Sequence, residues 1–110
     1  MSVNLSITTG DGEEEDYHLM GGADGGPEAM ALARRLNFKI LAGVYPVWFA
    51  KDQLEQVIFE VGLLRDLFVQ RMIAREFSEE DLTRNRSDME EIISRLEQLK
   101  AVNDWEAYFG

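Results

Sequence analysis

The chain has 110 residues, 45% hydrophobic and 29% charged, with 21 acids against 11 Lys plus Arg and no cysteine. That is one domain's length, and by mass scaling it exposes roughly 6,200 Å² when compact, enough to enclose a core without disulfides or metal. The missing cysteines exclude thiol catalysis, zinc ribbons and iron–sulfur sites, and a net charge of −10 opposes both a nucleic-acid backbone and an anionic membrane surface.

Charge is divided unevenly along the chain. Residues 1–33 hold Asp11, Glu13, Glu14, Glu15, Asp16, Asp24 and Glu28 and no Lys or Arg. The spacing predicts a single domain over 1–110, made of an acidic, glycine-rich β-hairpin region over 1–26 and a helical region over 27–110. In the hairpin, Val3, Leu5 and Ile7 alternate with Asn4, Ser6 and Thr8, the period of a half-buried strand, and Asp16–Met20 is its short partner. The loop between them, Gly10–Glu15, is crowded with like charges and should be well solvated. A hairpin is not stable alone, so it is expected to pack on the helical region.

Pro27 and Glu28 suit a first helical turn, Ala29, Leu32, Ala33 and Leu36 form one stripe, and Asn37 offers a stop, giving a helix over 27–37. Phe38–Phe49 is apolar and contains Gly43, Tyr45, Pro46 and Trp48. Periodicity does not choose between a short strand and an irregular crossover, so it reads as a connector, with Trp48, Tyr45 and Phe49 expected in the core. From Lys51 to Phe77, Leu54, Val57, Ile58, Val61, Leu64, Phe68 and Met72 recur at spacings of three and four, which predicts a long central helix over 51–77. Its stripe is wide enough for two neighbours, with Asp52, Glu55, Glu60, Asp66 and Gln70 assigned to the polar side. Gly62 weakens it by about 1 kcal/mol relative to Ala and allows close approach of another backbone. Ser78-Glu79-Glu80-Asp81 signals a short helical turn, and Ser87-Asp88-Met89-Glu90 a second start, leading a helix to about Val102 with a seam at Met89, Ile92, Ile93, Leu96 and Leu99. Trp105, Tyr108 and Phe109 close the chain as an aromatic cluster. The expected fold class is α+β, an N-terminal β-hairpin packed on about three α-helices.

No motif rises to the level of a reaction. Gly21–Gly26 sits where a phosphate-binding turn would sit, but Pro27 donates no N–H and Asp24 and Glu28 repel an anion. The acidic run Glu13–Asp16 lacks the spaced ligands of a calcium loop. His18 is the only histidine, so no His-rich metal cluster exists, and Glu79, Glu80 and Asp81 complement a helix dipole rather than flank a scissile bond. No cofactor, no metal and no catalysis are therefore expected.

The reading these features favour is a small acidic cytoplasmic module that binds another protein, of the inhibitor or immunity type that occludes a basic, nucleic-acid-processing partner. Its expected contact residues are Asp11, Glu13, Glu14, Glu15 and Asp16 of the hairpin, with Trp105, Tyr108 and Phe109 as aromatic anchors. Two alternatives stand beside it: a structural subunit that forms a homo-oligomer, and a small-ligand binder using Arg71 and Arg75 in a pocket between hairpin and helices. Direct nucleic-acid contact is not expected. Neither is a membrane span: the apolar run Leu41–Ala50 is half the needed length and Pro46 breaks it, and Met1–Thr9 lacks the basic flank of a targeting signal.

Overall fold

In the computed structural model, which describes residues 3–19 and 25–110 (backbone only for 25–29), the alternating segment at the N-terminus is strand β1, Asn4–Thr9, paired antiparallel with β2, Glu14–His18. Leu5 and Ile7 turn inward and are fully buried, as the period of two requires. Gly12 takes a positive φ of 86° in the connecting loop, a conformation that a side chain would strain. The Gly21–Gly26 turn, but for its last two residues, lies outside the described residues.

The hairpin is half of a larger sheet. Its order is β2-β1-β4-β3, all antiparallel, with β3 at Val47–Phe49 and β4 at Trp105–Phe109. The C-terminal aromatic cluster is thus a central strand lying between β1 and β3. The apolar connector is irregular through residue 46, with a cis Tyr45–Pro46 peptide, and only its last three residues form a strand.

Helix α1 runs Gly25–Arg35 and ends in a Schellman turn: Asn37 adopts a left-handed φ of 56°, Phe38 N–H donates to Ala33 O at 3.0 Å, and Asn37 N–H to Arg34 O at 3.2 Å. The stop expected at Asn37 is this turn. A 3₁₀ turn at Lys51–Gln53 leads into α2, Leu54–Ala74, which is shorter than the 51–77 span expected. It stops early because Glu76 takes the same left-handed turn, with φ 59° and Phe77 N–H donating to Met72 O at 3.1 Å. Helix α3 is continuous over Glu79–Leu99 rather than a turn and a separate second helix. Ser78 is its cap, Oγ accepting Asp81 N–H at 3.2 Å, and no Gly or Pro interrupts the run between Asp81 and Ser87. Asn85, which lies between the two expected helical starts, is buried within the helix and donates to Asp81 O at 2.9 Å.

The core is one cluster between the helices and the inner face of the sheet, joining Leu5, Ile7, Phe49, Ala107 and Phe109 to Val57, Val61, Leu64, Ile92 and Leu96. The Cα radius of gyration, 13.6 Å, is close to the roughly 13 Å expected of one compact domain of this length. No helix among the described residues is long and apolar enough to cross a membrane.

One residue of α2 departs from its expected side. Glu60 is fully buried, facing the connector rather than water. Its carboxylate accepts the backbone N–H groups of Lys39 at 3.2 Å, Ile40 at 3.2 Å and Leu41 at 2.9 Å, and Gln56 Nε2 donates to it at 2.7 Å. The connector needs partners for its unpaired N–H groups, and a carboxylate with several lone pairs supplies them from one side chain. Tyr45, whose burial pushes its hydroxyl up to about 12, donates to Leu41 O at 2.8 Å and extends this tie towards β3.

Candidate protein-binding face

Because the helices pack on one face of the sheet, strand alternation delivers every second residue to the other. That outer face carries Glu14, Asp16 and His18 from β2, Asn4, Ser6 and Thr8 from β1, Glu106 and Tyr108 from β4, and Trp48 from β3. The register aligns four of them in one row: Asp16 opposite Ser6, Ser6 opposite Tyr108, Tyr108 opposite Trp48. Ser6 Oγ donates to Asp16 Oδ1 at 2.6 Å, and the Tyr108 and Trp48 rings lie with centroids 4.5 Å apart. Trp48 remains 58% exposed. A large aromatic held by a neighbouring ring yet open to water has the character of a binding hot spot, since its rotamer freedom is already reduced.

The electrostatics of this face are one-sided. The four strands contain Glu14, Glu15, Asp16 and Glu106 and no Lys or Arg; all 11 bases of the chain lie outside them. At the loop end, Asp11 accepts from Thr9 Oγ1 and from Glu13 N–H, which holds its carboxyl below the usual range, and Asp104 joins by way of Gly10 N–H donating to Asp104 O at 3.0 Å. A low-dielectric sheet lined by one sign of charge focuses its field outward, where it attracts cations.

The residues expected to bind a partner divide across the sheet. Asp11, Glu13, Glu14 and Asp16 are exposed, and Tyr108 is half-buried on the outer face. Glu15 points inward: Arg95 of α3 grips it with Nε to Oε1 at 3.0 Å and Nη2 to Oε2 at 2.7 Å, while Tyr17 OH donates to Oε1 at 2.6 Å. These donors, Arg95 first, lower the Glu15 carboxyl from its ordinary value and raise the Arg95 guanidinium in turn. Trp105 also faces inward, its ring 5.8 Å from that of Phe49, and Phe109 is fully enclosed in the core, so neither presents its ring on the outer face.

Two outer-face residues are not found by sequence reasoning, which expects Trp48 in the core and does not single out Glu106. A signal is present in Val47-Trp48-Phe49, whose alternation sends Trp48 opposite to its neighbours, but a three-residue strand is too short to separate from an apolar connector.

Arg71 and Arg75 lie at the C-terminal end of α2, where cations complement the carbonyl dipole. The cleft between β2 and α3, about 160 Å³, is lined by Asp16, Tyr17, His18, Asp88 and Glu91 and by neither arginine. Among the described residues no group of three or more His, Asp or Glu is placed to hold a metal ion. Compared with protein-family models, with curated proteins and with solved structures, the chain finds no match in any of the three.

Proposed function

We propose that this chain is a small acidic cytoplasmic protein-binding module that docks the outer face of its sheet on a basic protein surface. In its most concrete form it is an inhibitor or immunity-type protein that occludes a nucleic-acid-processing partner, whose own basic surface an acidic sheet would cover in place of phosphates. The observation that carries this reading is the row Asp16–Ser6–Tyr108–Trp48, an exposed aromatic and a carboxylate on strands free of Lys and Arg. Trp48 and Tyr108 supply the desolvated contact, and Glu14, Asp16 and Glu106 supply steering and register. The activity is binding, with no chemical step.

The test is affinity capture from native-host lysate with the wild type, Trp48→Ala and the double variant Asp16→Lys/Glu106→Lys, each washed at about 0.05 M and about 1 M salt, where screening lengths are above 10 Å and roughly 3 Å. A basic protein held by the wild type, lost from the Lys variant and weakened in Trp48→Ala and at high salt is the expected result. Capture of nothing, or of the same protein equally by all three, would overturn the reading.

A further inference from the structure

Helix α2 is apolar on two sides. Its inward side fills the core, while Phe59, 59% exposed, and Ile73, 58% exposed, stand on the opposite side. Beside Phe59 a groove of about 310 Å³ is lined by Ile58, Gly62, Leu63 and, from α3, Ile93, with Arg65 and Asp66 at its rim. Glu55, Asp66 and Gln70 share that side, so the apolar patch is local to Phe59 and the groove, and an exposed ring beside an apolar groove is the kind of surface a partner covers.

Gly62 adds a second observation. It costs α2 about 1 kcal/mol relative to Ala, yet among the described residues a methyl group built on it would meet nothing within 4 Å beyond the helix's own backbone, so none of those contacts requires its small size. Its bare backbone opens at the middle of the groove, where a second helix could approach most closely.

Charge selects the occupant. A chain of net charge −10 repels copies of itself over most of its surface, but with Glu60 turned inward the other charged residues of α2 are Glu55, Asp66, Arg65 and Arg71, which balance. Arg65 Nε and Asp66 Oδ1 pair at 3.0 Å, giving the rim both signs side by side. In an antiparallel crossing centred on Gly62, residues equally far before and after it oppose one another. Phe59 then meets Arg65 of the second copy, and Ile58 meets its Asp66. The first is a ring-to-guanidinium contact made twice by symmetry.

We propose that the outer face of α2 is a self-association surface, on which two copies of this chain cross antiparallel at Gly62. A helix of 21 residues is about 31 Å long, and two such helices with their α3 shoulders bury on the order of 1,000 Å², the lower edge of specific interfaces. An interface of that size sits with weak, transient contacts. It uses the side of the molecule away from the acidic sheet and is independent of the binding role proposed above.

Sedimentation equilibrium of the full chain from about 1 µM to about 1 mM tests this, with Gly62→Ala, Gly62→Gln and Phe59→Asp alongside. The wild-type mass should climb from 12.6 kDa towards twice that value. Gly62→Gln and Phe59→Asp should each weaken the dimer at least about tenfold, as expected of residues at the centre of an interface. Both sites have open space, so Gly62→Gln, Phe59→Asp and Gly62→Ala should all keep a cooperative melt at micromolar concentration, which separates lost association from lost folding. Rising salt should strengthen the dimer by screening its net charge, opposite to docking through the acidic sheet. A mass of 12.6 kDa at every concentration overturns the proposal, as does a dimer that both variants leave unchanged or that salt dissolves.

Discussion

Arg95 of α3 and Glu15 of β2 form a two-pronged ion pair across 80 residues of sequence, with N···O distances of 3.0 and 2.7 Å. It fastens the edge strand of the sheet to the C-terminal helix. Arg95→Ala should therefore destabilise the domain by about 1 kcal/mol at pH 7, more than a typical exposed pair, because the fork is bidentate and both side chains are mostly covered. The Glu15 carboxyl is lowered in the fold, so its contribution is present above the unfolded carboxyl's ordinary value of 4.5 and is lost as pH falls through the lower folded value. Urea unfolding of both proteins should show the gap closing below pH 4.5; a gap independent of pH would mean that Arg95 acts by packing.

Glu60 holds the connector to α2 through three backbone N–H groups. Glu60→Ala strands those donors in a closed site and should cost about 3 kcal/mol or more. Glu60→Gln keeps the shape but exchanges an accepting oxygen for an amide that faces other donors, and should recover only part of that loss. Urea midpoints within experimental error of the wild type for both variants would remove Glu60 from its structural role.

A single α3 capped at Ser78 predicts unequal effects at two serines. Ser78→Ala should cost about 1 kcal/mol through loss of the bond from Asp81 N–H, whereas Ser87→Ala, at an exposed position in mid-helix, should be neutral or slightly stabilising because Ala is the better helix former. Equal losses would indicate two helices with two caps. Thermal melts read by far-ultraviolet circular dichroism distinguish the outcomes.

Trp48→Ala separates binding from folding. The side chain packs on Tyr108 but is largely open to water, so stability should fall by no more than about 1 kcal/mol. Affinity for the captured partner should fall by about 2 kcal/mol, roughly thirtyfold, if the ring is a hot spot. Titration calorimetry against that partner measures the second quantity, and an affinity unchanged within twofold would place the contact elsewhere.

Legibility in the sequence depends on the range of each interaction. The β1 alternation, the α2 stripe and the stop at Asn37 are local patterns, and they correspond to β1, the core side of α2 and the Schellman turn. β4 is not legible as a strand, because Trp105–Phe109 is short and its partners are residues 5–9 and 47–49. The same limit governs the site. The acids of the hairpin can be read from composition, but Glu15 is diverted by an arginine 80 positions away, and Trp48 is assigned to the outer face only by the pairing of β3 with β4. Glu60 looks like any acid on a helix until the connector brings its N–H groups to it.

Among the described residues β2 is an edge strand of the sheet, and an open edge is where sheets from different molecules fuse. Here that edge reads Glu14-Glu15-Asp16-Tyr17-His18, so a second copy brought alongside would set carboxylate against carboxylate within about a Debye length. An extended segment rich in Lys or Arg would meet no such barrier. The edge therefore discriminates by sign: like chains that approach it side by side are held apart by their own carboxylates.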